Sequence, residues 1–199
     1  MNMQGGLFAT IASAIAVLFS GYSLWDTSLA QSDLTVFVPP VIYYAGHEQN
    51  SNIEALRVPV TIANDGAQTG TVLSLTLTVT DKAGRVKRFY SASVVPPAGT
   101  PVPFSPIVLS GHSSASLILL FYTRGAAEKV EQIVQAPGVY AFKLALDEAQ
   151  RQSKGVLALI PGAQATTLSF ERELPAFDAR ADMALYAPDW HTTVSGQPQ

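Results

Sequence analysis

Reactive side chains are sparse in this chain, and none is spaced like a known catalytic set. Gly111-His112-Ser113-Ser114-Ala115 comes one residue short of a nucleophile elbow. That motif needs a strand, a sharp turn and then a helix, whereas the apolar run Ser116–Tyr122 that follows reads as a strand. His112 and Ser113 are also neighbours in sequence, so the segment reads as a polar hairpin turn. The three histidines, His47, His112 and His191, lie far apart and show no metal-ligand spacing. Cysteine is absent, which excludes disulfides, thiolate catalysis and thiolate zinc sites. Asp65, Asp81, Asp147 and Glu148 fall at turns and strand ends, where carboxylates cap and solvate. No Asp-x-Asp calcium loop appears, and no two carboxylates are nominated for glycosidase chemistry. No catalytic residue, metal ligand or cofactor is assigned, and a non-enzymatic protein is expected.

Residues suited to contact rather than chemistry are easier to find. Lys82, Arg85, Lys87 and Arg88 form the basic cluster, followed by Phe89 and Tyr90. Alternation places Arg85 and Lys87 on one face of a strand and Arg88 with Tyr90 on the other. Such a cluster suits anionic headgroups or an acidic partner, and it equally protects a strand edge by charge. Tyr43, Tyr44 and Trp190 are candidate contact aromatics, a type enriched in interface hot spots. The candidate interaction set is therefore Tyr43, Tyr44, Arg85, Lys87, Arg88 and Trp190. A formal net charge of −3 offers no overall basic field, so nucleic acid is not an expected partner.

These residues must be positioned by an N-terminal apolar run and a β-rich remainder. No charged side chain occurs from Met1 to Trp25. As a helix, residues 7–25 come close to the thickness of a bilayer core, with Tyr22 and Trp25 at an aromatic belt. The expected layout is a tail (1–6), a transmembrane signal anchor (7–25), a connector (26–33), a β domain (34–174) and an irregular tail (175–199). Cleavage after Ser28-Leu29-Ala30 is the competing reading and would leave a secreted protein. Arg57 is the first Lys or Arg of the chain, so charge says little about orientation. An inner-membrane anchor with a periplasmic domain is expected, a cytoplasmic domain being the other arrangement. Ala9, Ser13, Ala16 and Ser20 recur at helical spacing and form a candidate packing face for a membrane-protein partner or a second copy.

Beyond the connector, strands dominate. Leu56, Val58, Val60 and Ile62 alternate with Arg57, Pro59, Thr61 and Ala63, and Leu73, Leu75, Leu77 and Val79 alternate with Ser and Thr. Tyr140, Phe142, Leu144 and Leu146 repeat the pattern. Period two with one apolar face marks half-buried antiparallel strands, and Pro59 calls for an edge or a bulge. Further strands are expected at 34–38, 107–109, 116–122, 156–160 and 166–173, and a short helix at 126–135. Short, regularly punctuated strands argue for an all-β, antiparallel immunoglobulin-like sandwich.

Ser20-Gly-Tyr-Ser-Leu24, Val38-Pro39-Pro40-Val41, Pro59-Val60-Thr61-Ile62-Ala63-Asn64-Asp65-Gly66 and Gly70-Thr71-Val72 resemble a group of uncharacterised bacterial proteins. That resemblance implies one N-terminal transmembrane segment followed by an immunoglobulin-like sandwich, and it carries no activity. The expected function is a membrane-anchored, non-enzymatic interaction module, an accessory or structural subunit of a larger bacterial assembly. The alternative is a secreted sandwich that binds a ligand such as a glycan.

Overall fold

Alternation on several strands demands one shared core, and the chain closes that core into a barrel. The structure is a computed structural model describing residues 3–46, 54–96, 99–123, 132–149, 166–178 and 182–190, with helix side chains from residue 10 onward. Helix α1 spans Met3–Leu24 and passes through a π-helical turn, Trp25–Leu29. Strands follow as β1 (Leu34–Phe37), β2 (Val41–Gly46), β3 (Glu54–Asn64), β4 (Gly70–Thr80), β5 (Val86–Val95) and β6 (Val102–Pro103). Then come β7 (Ile107–Leu109), β8 (Ser113–Tyr122), β9 (Gly138–Glu148), β10 (Thr167–Leu174) and β11 (Met183–Tyr186).

Around the wall the order is β5-β8-β3-β2-β11-β10-β9-β4, and β4 pairs back onto β5. This closes an eight-stranded barrel, with β1, β6 and β7 as additional strands. The expected sandwich is therefore corrected. A half-buried strand alternates identically in either architecture, and β4 decides between them by pairing with both β9 and β5.

Inward side chains fill the barrel. Tyr44, Phe89, Phe121, Phe142, Leu77 and Leu144 are among the largest fully buried residues. Phe142 and Phe170 stack across β9 and β10, with centroids 5.2 Å apart and planes 7° off parallel. Each fully buried side chain of this kind contributes about 1.5–3 kcal/mol. Pro59 lies inside β3 rather than at the end of the sheet. On one side β3 pairs with β8 throughout, and on the other β2 stops at Arg57 and β1 starts at Thr61. The proline falls in that gap, where no ladder asks for its missing N–H.

Several expectations change. Among the described residues no helix is long and apolar enough to cross a membrane. Ser13, Ser20, Gly21, Tyr22 and Ser23 dilute the apolar character of α1. The transmembrane signal anchor and the inner-membrane placement with a periplasmic domain are corrected accordingly. The resemblance to proteins with a membrane helix and an immunoglobulin-like sandwich fails on both features. The strand expected at 156–160 and most of the helix expected at 126–135 lie outside the described residues, and 132–135 are not helical. Past Pro175 the pattern is weak, yet Met183–Tyr186 forms a wall strand between β2 and β10. Four residues are too few to display a period.

Candidate functional site

The ends of the barrel and its outer wall hold most of the polar side chains with structural consequence. At one end, β3 begins with Glu54, whose side chain is sealed in at 1% exposure. Its Oε1 accepts from the Tyr44 hydroxyl at 2.8 Å and from the Ile133 N–H at 2.7 Å. Its Oε2 pairs with the ammonium of Lys87. Burial pushes the Tyr44 phenol well above its ordinary range, and the neighbouring Glu54 carboxylate pushes it further. Phenol, carboxylate and ammonium together resemble an acid–base set, but each is spent on the others. The cluster plugs the end of the barrel.

At the opposite end Asn64, also 1% exposed, terminates β3. Its Nδ2 donates to the carbonyls of Gln68 (2.8 Å), Ser110 (3.0 Å) and Leu109 (3.3 Å). Its Oδ1 accepts from the N–H groups of Asp33 (3.1 Å) and Gly66 (3.2 Å). The segment from Trp25 to Asp33 is thereby drawn against the barrel. Ala67 and Gln68 donate their N–H groups to the Ala30 carbonyl, and Gln68 Nε2 donates to Leu29 O. His112 holds Asp26 O through Nε2 at 3.1 Å, and Ser32 donates to Glu148. Gly66 packs so tightly that a Cβ there would come within 1.8 Å of Gln31 O. The residues Ser28-Leu29-Ala30, read as a possible cleavage site, are thus bound into this end.

From this mount α1 projects with every described side chain from 10 to 24 exposed, including Ile11, Ile15, Val17, Leu18 and Phe19. Ser13, Ala16 and Ser20 lie among these exposed residues, and the side chain of Ala9 is outside those described. Exposed apolar side chains in this number belong against something.

The candidate interaction residues are scattered. Tyr43 is 40% exposed and lines a pocket of about 240 Å³ on the outer wall with Arg57, Pro101, Leu120, Tyr122 and Asp182. Arg57 and Asp182 stand 3.9 Å apart there, both exposed, a pairing that contributes little. Tyr44 points inward instead, as does Lys87. Arg85 closes the β4–β5 turn by pairing with Asp81 at 2.6 Å. Desolvation works against the Asp81 carboxylate, but hydrogen bonds and charge from Arg85 prevail and hold it below the usual carboxylate range. Arg88 is exposed on β5, and Trp190 is 37% exposed at a turn beyond β11. Sequence reasoning missed Glu54 and Asn64. Lys87 two residues before Phe89 on an inward face, and the Asn-Asp-Gly turn, were the available signals. Among the described residues no group of three or more His, Cys, Asp or Glu could hold a metal ion.

No model of a known protein family matches the chain. No curated protein matches it. Among solved structures the chain is similar to the crystal structure of a Bordetella pertussis protein provisionally named ApaA. Identity is 16%, the match covers 80% of this chain and 97% of that one, and the TM-score is 0.37. A likeness at that level carries no argument about function.

Proposed function

We propose that this chain is a non-enzymatic interaction module, an accessory or structural subunit that works through protein contacts made by α1. The observation that carries this reading is the exposed apolar surface of 10–24, mounted on a barrel end that grips the connector. Exposed apolar surface on this scale marks a contact site. Because the apolar residues surround the helix, the partner must cover it on several sides, as helices in a bundle do. Holding the connector against the barrel lowers the entropy lost on docking. The barrel interior, filled by aromatic and aliphatic side chains and plugged by Glu54 and Lys87, favours this over a ligand-holding barrel.

The test is a photo-crosslinking residue at Leu18, with Val86 on the barrel as the control site, in cells making the full chain. Crosslinking to protein at a discrete mass from position 18 alone, abolished by Ile15→Glu, is expected. Crosslinks only to lipid, or none, would overturn the reading.

A further inference from the structure

We propose that the hollow on the outer wall between Tyr43 and Tyr122 binds one neutral, polyhydroxylated ring, a hexose unit of a glycan. The site lies on the barrel and uses no part of α1, so it goes beyond the protein-contact reading above.

Register builds the hollow. Tyr43 on β2 stands opposite Arg57 on β3, and Arg57 stands opposite Leu120 on β8. In the adjoining outward row Ala45 faces Ala55, and Ala55 faces Tyr122. The tyrosines therefore occupy opposite corners of one patch, with the small alanines between them. Strands β2 and β8 flank β3 at one strand spacing each, which sets the tyrosine backbones about 10 Å apart across the sheet. The alanines leave the sheet thinly covered there, and a pocket of about 240 Å³ opens, lined by all of these residues. Leu120 shares the outer face with Arg57 yet is only 7% exposed, so it gives the pocket an apolar floor. Tyr43 and Tyr122 keep 40% and 38% of their surface open. A pyranose ring presents C–H groups on its faces, which suit both the negatively polarised face of a phenol ring and a floor of carbon.

The polar pair at the rim says which kind of ring fits. Arg57 Nη2 and Asp182 Oδ2 stand 3.9 Å apart, beyond hydrogen-bond length, with side chains 49% and 59% exposed. A guanidinium and a carboxylate are thus open side by side at the edge of an apolar pocket, the few convergent polar groups that orient a ligand. Their charges oppose, so an anion gains from Arg57 what it loses to Asp182, and a cation the reverse. A proline-rich segment brings carbonyl acceptors for Arg57 and nothing for Asp182. A purely apolar ring engages neither. A sugar hydroxyl both donates and accepts, so neighbouring hydroxyls on one ring edge meet the guanidinium and the carboxylate together.

The test is saturation-transfer NMR on the full chain with the methyl glycosides of glucose, galactose, mannose and N-acetylglucosamine, beside glucuronate and glucosamine as charged probes. At least one neutral glycoside should receive saturation on its ring C–H protons and bind more tightly than either charged sugar. Tyr43→Ala and Tyr122→Ala should each weaken that binding about tenfold. Tyr43→Phe should retain most of it, because stacking needs the ring and not the hydroxyl. Arg57→Gln should tilt the preference towards glucosamine, since Asp182 then stands uncompensated. Ala45→Leu fills the hollow from the outside of the barrel and should abolish binding, and Ala55→Leu serves if that variant does not fold. No transfer to any neutral glycoside, a charged sugar bound best by the wild type, or an affinity unmoved by the tyrosine and alanine variants would overturn the site.

Discussion

The two ends of the barrel solve the same problem with opposite chemistry. At one end a buried ion pair, Glu54 with Lys87, is completed by Tyr44 and the Ile133 amide. At the other a single neutral amide, Asn64, satisfies three carbonyls and two N–H groups. The charged plug joins wall strands to an irregular segment and touches nothing that projects. The amide joins the wall to the segment that carries α1. A buried ion pair is a poor source of stability but fails badly when halved, whereas a saturated amide positions backbone without charge to desolvate. The contrast teaches that the end with the weaker chemistry sets the aim of the helix.

Halving the charged plug should have the largest effect. Glu54→Gln leaves the Lys87 ammonium facing a neutral group, and about 3–5 kcal/mol should be lost in denaturant unfolding. Replacing both partners, Glu54→Leu with Lys87→Met, should recover most of that loss. At the neutral end Asn64→Ala strands several buried groups and should cost about 2–4 kcal/mol. It should also speed amide exchange at Ala67 and Gln68, a local loosening that the plug variants do not share. Gly66→Ala forces the connector away from Gln31 and should cost about 1–3 kcal/mol, with the same local signature.

Alkali separates the ends without mutation. The phenol of Tyr44 is held far above its ordinary value of 10.0, first by burial and then by Glu54. The unfolded chain therefore ionises first, and stability should fall as pH rises past that ordinary value, by about 1.4 kcal/mol per pH unit for this group. Absorbance titration should show one tyrosine that ionises only as the fold is lost. Asp81→Asn should give the smallest change in thermal midpoint. Because the folded carboxylate is held below the unfolded value, its contribution is present above that value and should vanish as the pH falls through the folded one.

The sequence exposes these regions unequally. Period two in β3, β4 and β9 reveals strands and their inward faces, because burial on one side leaves a mark at every second residue. Closure leaves no such mark, for the pairing of β4 with both β5 and β9 lies between distant segments. Tyr44 and Tyr43 look alike in sequence, and only register sends one to Glu54 and the other to the outer wall. Lys87 reads as surface charge until its partner 33 positions upstream is known. Asn64 was visible only as part of a turn, since its partners come from 31 to 46 residues away as well as nearby. The apolar run of α1 is plain in sequence. The grip on its connector is not, because backbone carbonyls carry no side-chain signature.

The central claim, that α1 is held out to be covered by protein, is tested most directly by sedimentation velocity of the full chain isolated without detergent from the cells that make it, together with whatever protein covers α1. Wild type should sediment as a particle heavier than one 21.1 kDa chain, and Phe19→Lys should release the chain at its own mass with the barrel folded. A wild-type chain that sediments as a monomer, unchanged by Phe19→Lys, would contradict it.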